Sequence, residues 1–317
     1  TGPTGTALSA APMVSWIEAQ DANQRIFAMF HTRTAHFPFV VAPPTDDPTG
    51  IGGLLWSDDL NNDEGPQQRP GVAGGTNVQG VGVSTDPNNL QHALRQAGSP
   101  GMTAWRRYYA ESMGRLDDDL GAVVDVLERT GRLEKTIIVV VADHGESLGD
   151  HDEFLHGDSY FDSVVKVPLL IRVPGMTGNA SPIQPLVSHV DLLPTILGLV
   201  GAVSPAGIDG ENLIAVMENP NTQIRSTALV EGGVSWTPRD TMRGAVISPP
   251  WTLLRQPVMC SMGQPEPPPG PGEPFKCLFN TETDPGQTQN LARQHPDVVR
   301  KLQARWDGYR TAKAGQV

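Results

Sequence analysis

Thr136–Val173 reads TIIVVVADHGESLGDHDEFLHGDSYFDSVVKVPLLIRV, and the fold follows from it. Ile137 to Ala142 is a continuous β-branched run without polar alternation, the pattern of a strand buried on both faces of a parallel sheet. It stops at Asp143-His144-Gly145, placing a carboxylate and an imidazole where open α/β sheets build their sites, beyond the carboxyl ends of the strands. Asp150, His151, Asp152 and His156 follow. A second apolar run, Val165 to Val173, ends at Pro174-Gly175 and predicts another strand. The loop between the two runs is dense in oxygen and nitrogen ligands.

Working outward, Arg25 to Phe30 predicts a further buried strand, ending in polar chemistry at His31-Thr32-Arg33-Thr34-Ala35-His36. Residues 43–100 are rich in Gly, Pro, Asn and Asp, and read as a long insertion, either a functional lid or filler. Tyr109, Met113, Leu116, Leu120, Val123 and Leu127 form a one-sided stripe that predicts a helix, with Gly131 as its stop. Asp117, Asp118, Asp119 and Glu128 fall mostly off that stripe, as a solvated face. Ser188 to Gly201 predicts a short capped helix in which His189 is structural. Past Glu218 come short strand-like pieces, Thr227–Glu231, Gly244–Ile247, Trp251–Arg255 and Cys277–Asn280, then a helix opened by Pro296. These predict a small antiparallel subdomain.

At 317 residues the chain can bury a sizeable core. A net charge of −12 argues against nucleic acid as a partner. No apolar run approaches the ~20 residues of a membrane span. The two cysteines, Cys260 and Cys277, flank a Pro/Gly-rich segment and are either a disulfide in an oxidising compartment or two separate thiols.

Asp143 and His144 could bind a divalent cation or simply form a strand-end turn. Five of the eight histidines, His31, His36, His144, His151 and His156, follow the apolar runs or lie between two of them. Residue types and spacing alone point to a metal-assisted hydrolase or a metal-binding protein.

The stretch Ile138 to Pro174 resembles the sulfatases of the alkaline-phosphatase superfamily. The likeness is carried by Asp143-His144-Gly145-Glu146, Gly149-Asp150-His151, His156-Gly157, Tyr160 and Lys166-Val167-Pro168-Leu169-Leu170-Ile171. Phe27 to Pro38 resembles the family's strand and His-x-Pro turn. Val187 to Thr195 resembles its Ser-x-x-Asp-Leu-x-Pro-Thr helix. Leu278-Phe279-Asn280, Thr283-Asp284-Pro285 and Asn290-Leu291-Ala292 resemble its ending.

The resemblance implies an α/β fold, an alkaline-phosphatase-like three-layer sandwich with a mostly parallel sheet and a small C-terminal antiparallel α+β subdomain. It implies a division into residues 1–217, part of the large domain with the 43–100 insertion, and 218–317, the small subdomain. Asp143 and His144 match metal ligands for one divalent cation, usually Ca2+, with Mg2+ or Mn2+ in some relatives. His36 and His156 match histidines that contact the sulfate group, and His156 would also assist the leaving oxygen. His31 and His151 have no counterpart.

Two elements of the family pattern are missing. The formylglycine nucleophile arises from a Cys/Ser-x-Pro-Ser/Ala-x-Arg motif upstream of the His-x-Pro turn, and neither Cys260 nor Cys277 fits it. The first Asp-Asp metal pair is missing too. The resemblance therefore implies a C-terminal portion that pairs with an N-terminal fragment carrying the nucleophile, acts on small or glycan-like sulfate esters, and works in the periplasm or outside the cell. The alternatives are a phosphoester or phosphonate-ester hydrolase of the same superfamily and a non-catalytic binding module.

Overall fold

The computed structural model describes residues 9–36, 87–156, 159–176, 178, 182–232, 243–256 and 275–314. The 43–100 insertion therefore lies mostly outside the described residues, as does Cys260. The chain divides into two compact units, one built from residues 1–141, 148–155 and 168–176, the other from 142–147, 156–167 and 177–317.

The first unit is organised by two helices, α1 (Ala11–Glu18) and α2 (Pro87–Arg129), and one strand pair, β1 (Ile138–Val141) with β2 (Leu169–Arg172). Ile17 of α1 packs with Val126 and Leu127 of α2 in a core that Ile26, Leu133 and Ile138 extend. The helical period read from the sequence holds, but its phase drifts in the N-terminal half of the stripe. Trp105, Tyr108 and Ser112 are buried, whereas Met113 is 38% exposed. The stripe rotates by one position because the two large rings present more apolar surface than Met113 and take the inner face.

Gly131 adopts φ +67° and ends α2: its N–H donates to Glu128 O and that of Arg132 to Leu127 O. This is the double-bonded stop for which a left-handed residue is needed. The Arg132 guanidinium then folds back onto the carbonyls of Gln20, Asp21 and Gln24 and fixes the turn after α1.

Two expectations are corrected here. β1 and β2 pair antiparallel, with Ile138 opposite Arg172 and Val141 opposite Leu169. A continuous apolar run reports burial on both faces and not strand direction, so the parallel reading of this pair does not hold. Nor does Arg25–Phe30 form a regular strand: Phe27 is 81% and Met29 79% exposed. No described strand pairs with that run: Ile26 packs on the α1–α2 core, while Phe27 and Met29 are left exposed. Exposed Leu170 and Val141 leave the β1–β2 pair partly bare as well.

The second unit is built on a four-stranded antiparallel meander, β3 (Ala228–Gly232), β4 (Arg243–Ser248), β5 (Trp251–Gln256) and β6 (Phe275–Asn280), in that order. Its register aligns Ala245, Leu254 and Cys277 across three strands, and Val246, Leu253 and Leu278 beside them. Neighbouring positions on a strand face opposite ways, so each row serves a different core. The first row packs with Phe279, Tyr160 and Phe161; the second packs with Leu302 and Trp306 of the closing helix α6 (Pro296–Ala314). Gly244 permits that closeness, since a Cβ there would meet the Trp306 ring at 2.7 Å and Val230 O at 2.0 Å. Cys277 is disulfide-bonded.

Three short helices complete this unit: α3 (Asp162–Val165), α4 (Leu192–Leu199) and α5 (Ile214–Glu218). Asp162, in the first turn of α3, donates its N–H to Gln287 Oε1 at 2.7 Å. Burial raises its pKa above the ordinary aspartate value, opposed in part by the Lys166 charge. A raised carboxyl pKa gives a stabilising contribution that is full below the unfolded pKa and is lost as pH rises through the folded one. Asp162→Asn is therefore expected to raise the unfolding temperature at pH 7, with the gain vanishing below about pH 4. Thermal melts of both proteins across that range check it.

Candidate active site

Asp143 and His144 follow the end of β1 by two and three positions, on a turn held from three sides. His189 Nε2 donates to Ala142 O at 2.8 Å, Gly145 N–H donates to Val164 O at 2.7 Å, and His144 N–H donates to Asp143 Oδ1 at 3.0 Å. His189 is structural, as the sequence predicts. Gly145 is the residue the turn requires: a Cβ there would lie 2.1 Å from Ser163 O.

The two side chains suit a cation. The Asp143 carboxylate is 80% exposed and so open to a ligand. His144 Nδ1 lies 2.8 Å from Gly145 O, an acceptor, which assigns the proton to Nδ1 and leaves Nε2 its lone pair. That nitrogen stands 3.7 Å from Asp143 Oδ2, so a hard and a borderline donor share one opening. Anchoring the second ring nitrogen to a carbonyl is the arrangement metal-binding histidines use to fix tautomer and orientation. Among the described residues no group of three or more His, Cys, Asp or Glu could hold a metal.

His156 is brought to the same place. Its ring stacks on His144 with centroids 3.9 Å apart and planes at 27°. Downstream, Tyr160 and Phe161 are sunk into the sheet core, which anchors this end of the loop. Glu146 completes the group: its side chain is 6% exposed and its Oε2 lies 3.4 Å from His156 Nδ1. In sequence Glu146 belongs to the Asp-His-Gly-Glu stretch but takes no role there. Only its burial singles it out, and a lone carboxylate in a polar loop carries no periodic signal.

His36, His31 and His151 belong to the first unit. His36 ends a turn in which its N–H donates to Arg33 O at 2.9 Å, beside Thr34, which is fully buried. His31 is exposed. His151 takes a left-handed backbone, φ 58°, next to Asp150, which pairs with Arg106 at 3.5 Å. A left-handed backbone at a non-glycine residue is uncommon, though Asn, Asp and His adopt it most readily.

A carboxylate and an imidazole thus follow a strand end, with a second histidine stacked on the imidazole. The sulfatase family profile matches residues 5–202, and the chain belongs to that family. It is 37% identical over 103 residues to the uncharacterized sulfatase YidJ of Escherichia coli, covering 32% of the chain and 20% of that protein. It is 30% identical over 201 residues to arylsulfatase K of Danio rerio, covering 62% and 35%.

A protein solved in complex with its substrate D-glucosamine-2-N,6-O-disulfate superposes with TM-score 0.65 at 17% identity, over 95% of the chain and 69% of that structure. The phosphonate monoester hydrolase of Silicibacter pomeroyi superposes with TM-score 0.55 at 23% identity, over 67% and 42%. These likenesses give the fold, alkaline-phosphatase-like α/β with an antiparallel C-terminal sheet. The two relatives are matched over a fifth to about a third of their own lengths.

Proposed function

We propose that this chain supplies part of the active site of a sulfatase acting on sulfate monoesters of glycan-like or small alcohols. The observation that carries the reading is the Asp143–His144 pair, with Nδ1 of His144 anchored and His156 stacked on the same ring. Asp143 and His144 would hold one divalent cation, with calcium the expected ion. A bound cation supplies positive charge against the sulfuryl oxygens, where charge builds during transfer. His156 contacts the same group on the side of the leaving oxygen, and His36 takes the second histidine contact.

The nucleophile comes from a preceding segment that bears the formylglycine motif and pairs with this chain. Phe27, Met29, Val141 and Leu170 support this, because their exposed apolar surface, beside a β1–β2 pair that no further strand joins among the described residues, suits an added strand. The disulfide-bonded Cys277 supports an oxidising compartment, periplasmic or extracellular. No described helix is long and apolar enough to cross a membrane.

The test is turnover by the chain assembled with its nucleophile segment, with calcium, on 4-nitrophenyl sulfate and on a 4-nitrophenyl phosphonate ester. Preference for the sulfate supports this reading, and preference for the phosphonate replaces it with the sister activity. Loss of a metal ligand costs catalysis several powers of ten, so His144→Ala is expected to lower kcat/KM by about 10³-fold, on the order of 4 kcal/mol. Calcium titration by calorimetry should show the matching loss of affinity. An assembly that binds no cation and turns over neither ester leaves only a binding module.

A further inference from the structure

We infer that Glu146 is a positioning residue for His156: its buried carboxylate decides which ring nitrogen faces the ester. This rests on the sulfatase reading of the site and adds to it. Oε2 accepts from His156 Nδ1 at 3.4 Å, while Oε1 is fully buried and has no hydrogen-bond partner among the described residues. Burying a carboxylate with one oxygen unsatisfied costs stability, and an apolar side chain of similar volume would avoid that cost. Packing therefore does not explain a glutamate here; a task at the neighbouring imidazole does.

The geometry states that task. Stacking on His144 fixes the plane of the His156 ring but not which nitrogen points inward, because a half-turn of the ring leaves the stack intact. Glu146 breaks that degeneracy by giving Nδ1–H an acceptor, so Nε2 is the nitrogen turned toward the ester. His144 is held in the same way by Gly145 O. The two rings are thus a stacked pair, each with Nδ1 tied to a fixed oxygen from adjoining residues of one turn.

Glu146→Leu and Glu146→Gln separate positioning from packing, in the chain assembled with its nucleophile segment. The leucine variant removes the buried carboxylate and is expected to melt at or above the wild-type temperature. Its kcat is expected to fall by about 10–100-fold, the range for losing a group that orients an active-site imidazole, with KM changed less than about threefold. The glutamine variant retains an acceptor for Nδ1–H and is expected to restore most of the rate.

Side-chain 15N spectra of His156 should show the Nδ1–H tautomer in wild type and in Glu146→Gln, and its loss in Glu146→Leu. Leucine at wild-type kcat, or an unchanged tautomer in Glu146→Leu, overturns the inference. Should the leucine variant not fold, the glutamine variant's tautomer and rate decide alone. The spectra need no turnover, so an inactive wild type would remove the sulfatase reading while the tautomer still decides the role of Glu146.

Discussion

Asp191→Ala is expected to cost about 3–5 kcal/mol of folding stability. Asp191 is wholly buried. Its Oδ2 accepts the Ser188 N–H at 2.8 Å, its Oδ1 accepts the Glu211 N–H at 2.8 Å, and the Arg225 guanidinium pairs with it. Its carbonyl accepts the Thr195 hydroxyl at 2.6 Å, and that hydroxyl oxygen in turn accepts the Leu213 N–H at 2.9 Å. One carboxylate thus joins the start of α4 to the segment entering α5 and to the approach to β3.

Alanine would leave the mostly buried Arg225 charge without its counterion and two backbone N–H groups without acceptors. Water cannot easily replace them, because Gly210 lies so close that a Cβ there would meet Val190 O at 1.8 Å. Asp191→Asn would keep one acceptor and lose the charge, so it should fall between alanine and wild type. Urea unfolding with constant slope measures the series. A loss under about 1 kcal/mol for alanine would show that the network is solvated and only decorates the surface. His189 stands two residues away and holds Ala142 O, so calcium affinity should weaken alongside stability.

The same stretch shows what a sequence can and cannot disclose. The apolar run of β1, the Asp143-His144 end, the Gly131 stop and all four strands of the meander were legible, because each is written in local chemistry: β-branching, a φ-permissive residue, turn residues between short runs. Direction was not legible, since Ile137–Ala142 reads the same whether its neighbour runs parallel or antiparallel. The exposure of Phe27 and Met29 was hidden for a related reason. An apolar run announces a need for cover, and whether anything covers it depends on elements that pattern cannot see. Glu146 was hidden because its meaning lies in a neighbour ten residues on, His156, and in the burial of both. Arg132 escaped notice for the same cause: its work is on carbonyls more than a hundred residues earlier.

Gly145→Ala is expected to separate the geometry of the site from the stability of the fold. The added methyl would stand 2.1 Å from Ser163 O, 3.0 Å from Ser163 C and 3.2 Å from Val164 Cα. All three atoms are backbone, so no rotamer change can relieve the clash. Nor can α3 retreat. Val164 and Val165 donate their N–H groups to Phe161 O, and buried Phe161 is locked into the sheet core. The turn bearing Asp143 and His144 must move instead, and the Gly145 N–H bond to Val164 O goes with it. Overpacking of this kind costs about 1–3 kcal/mol, which leaves the protein folded. A displacement near 1 Å costs catalytic groups about 10²-fold, so turnover and calcium affinity should fall far more than the melting temperature suggests.

Gly121→Ala is the matched control. Nothing lies within 4 Å of a Cβ at that position in α2, and alanine in an open helix position should be stabilising by about 0.4–1 kcal/mol with activity unchanged. Calorimetric calcium binding by the two variants is the deciding measurement. Retention of wild-type affinity in Gly145→Ala would mean that Asp143 and His144 bind the cation without needing this turn, and that the close contact with Ser163 serves packing alone.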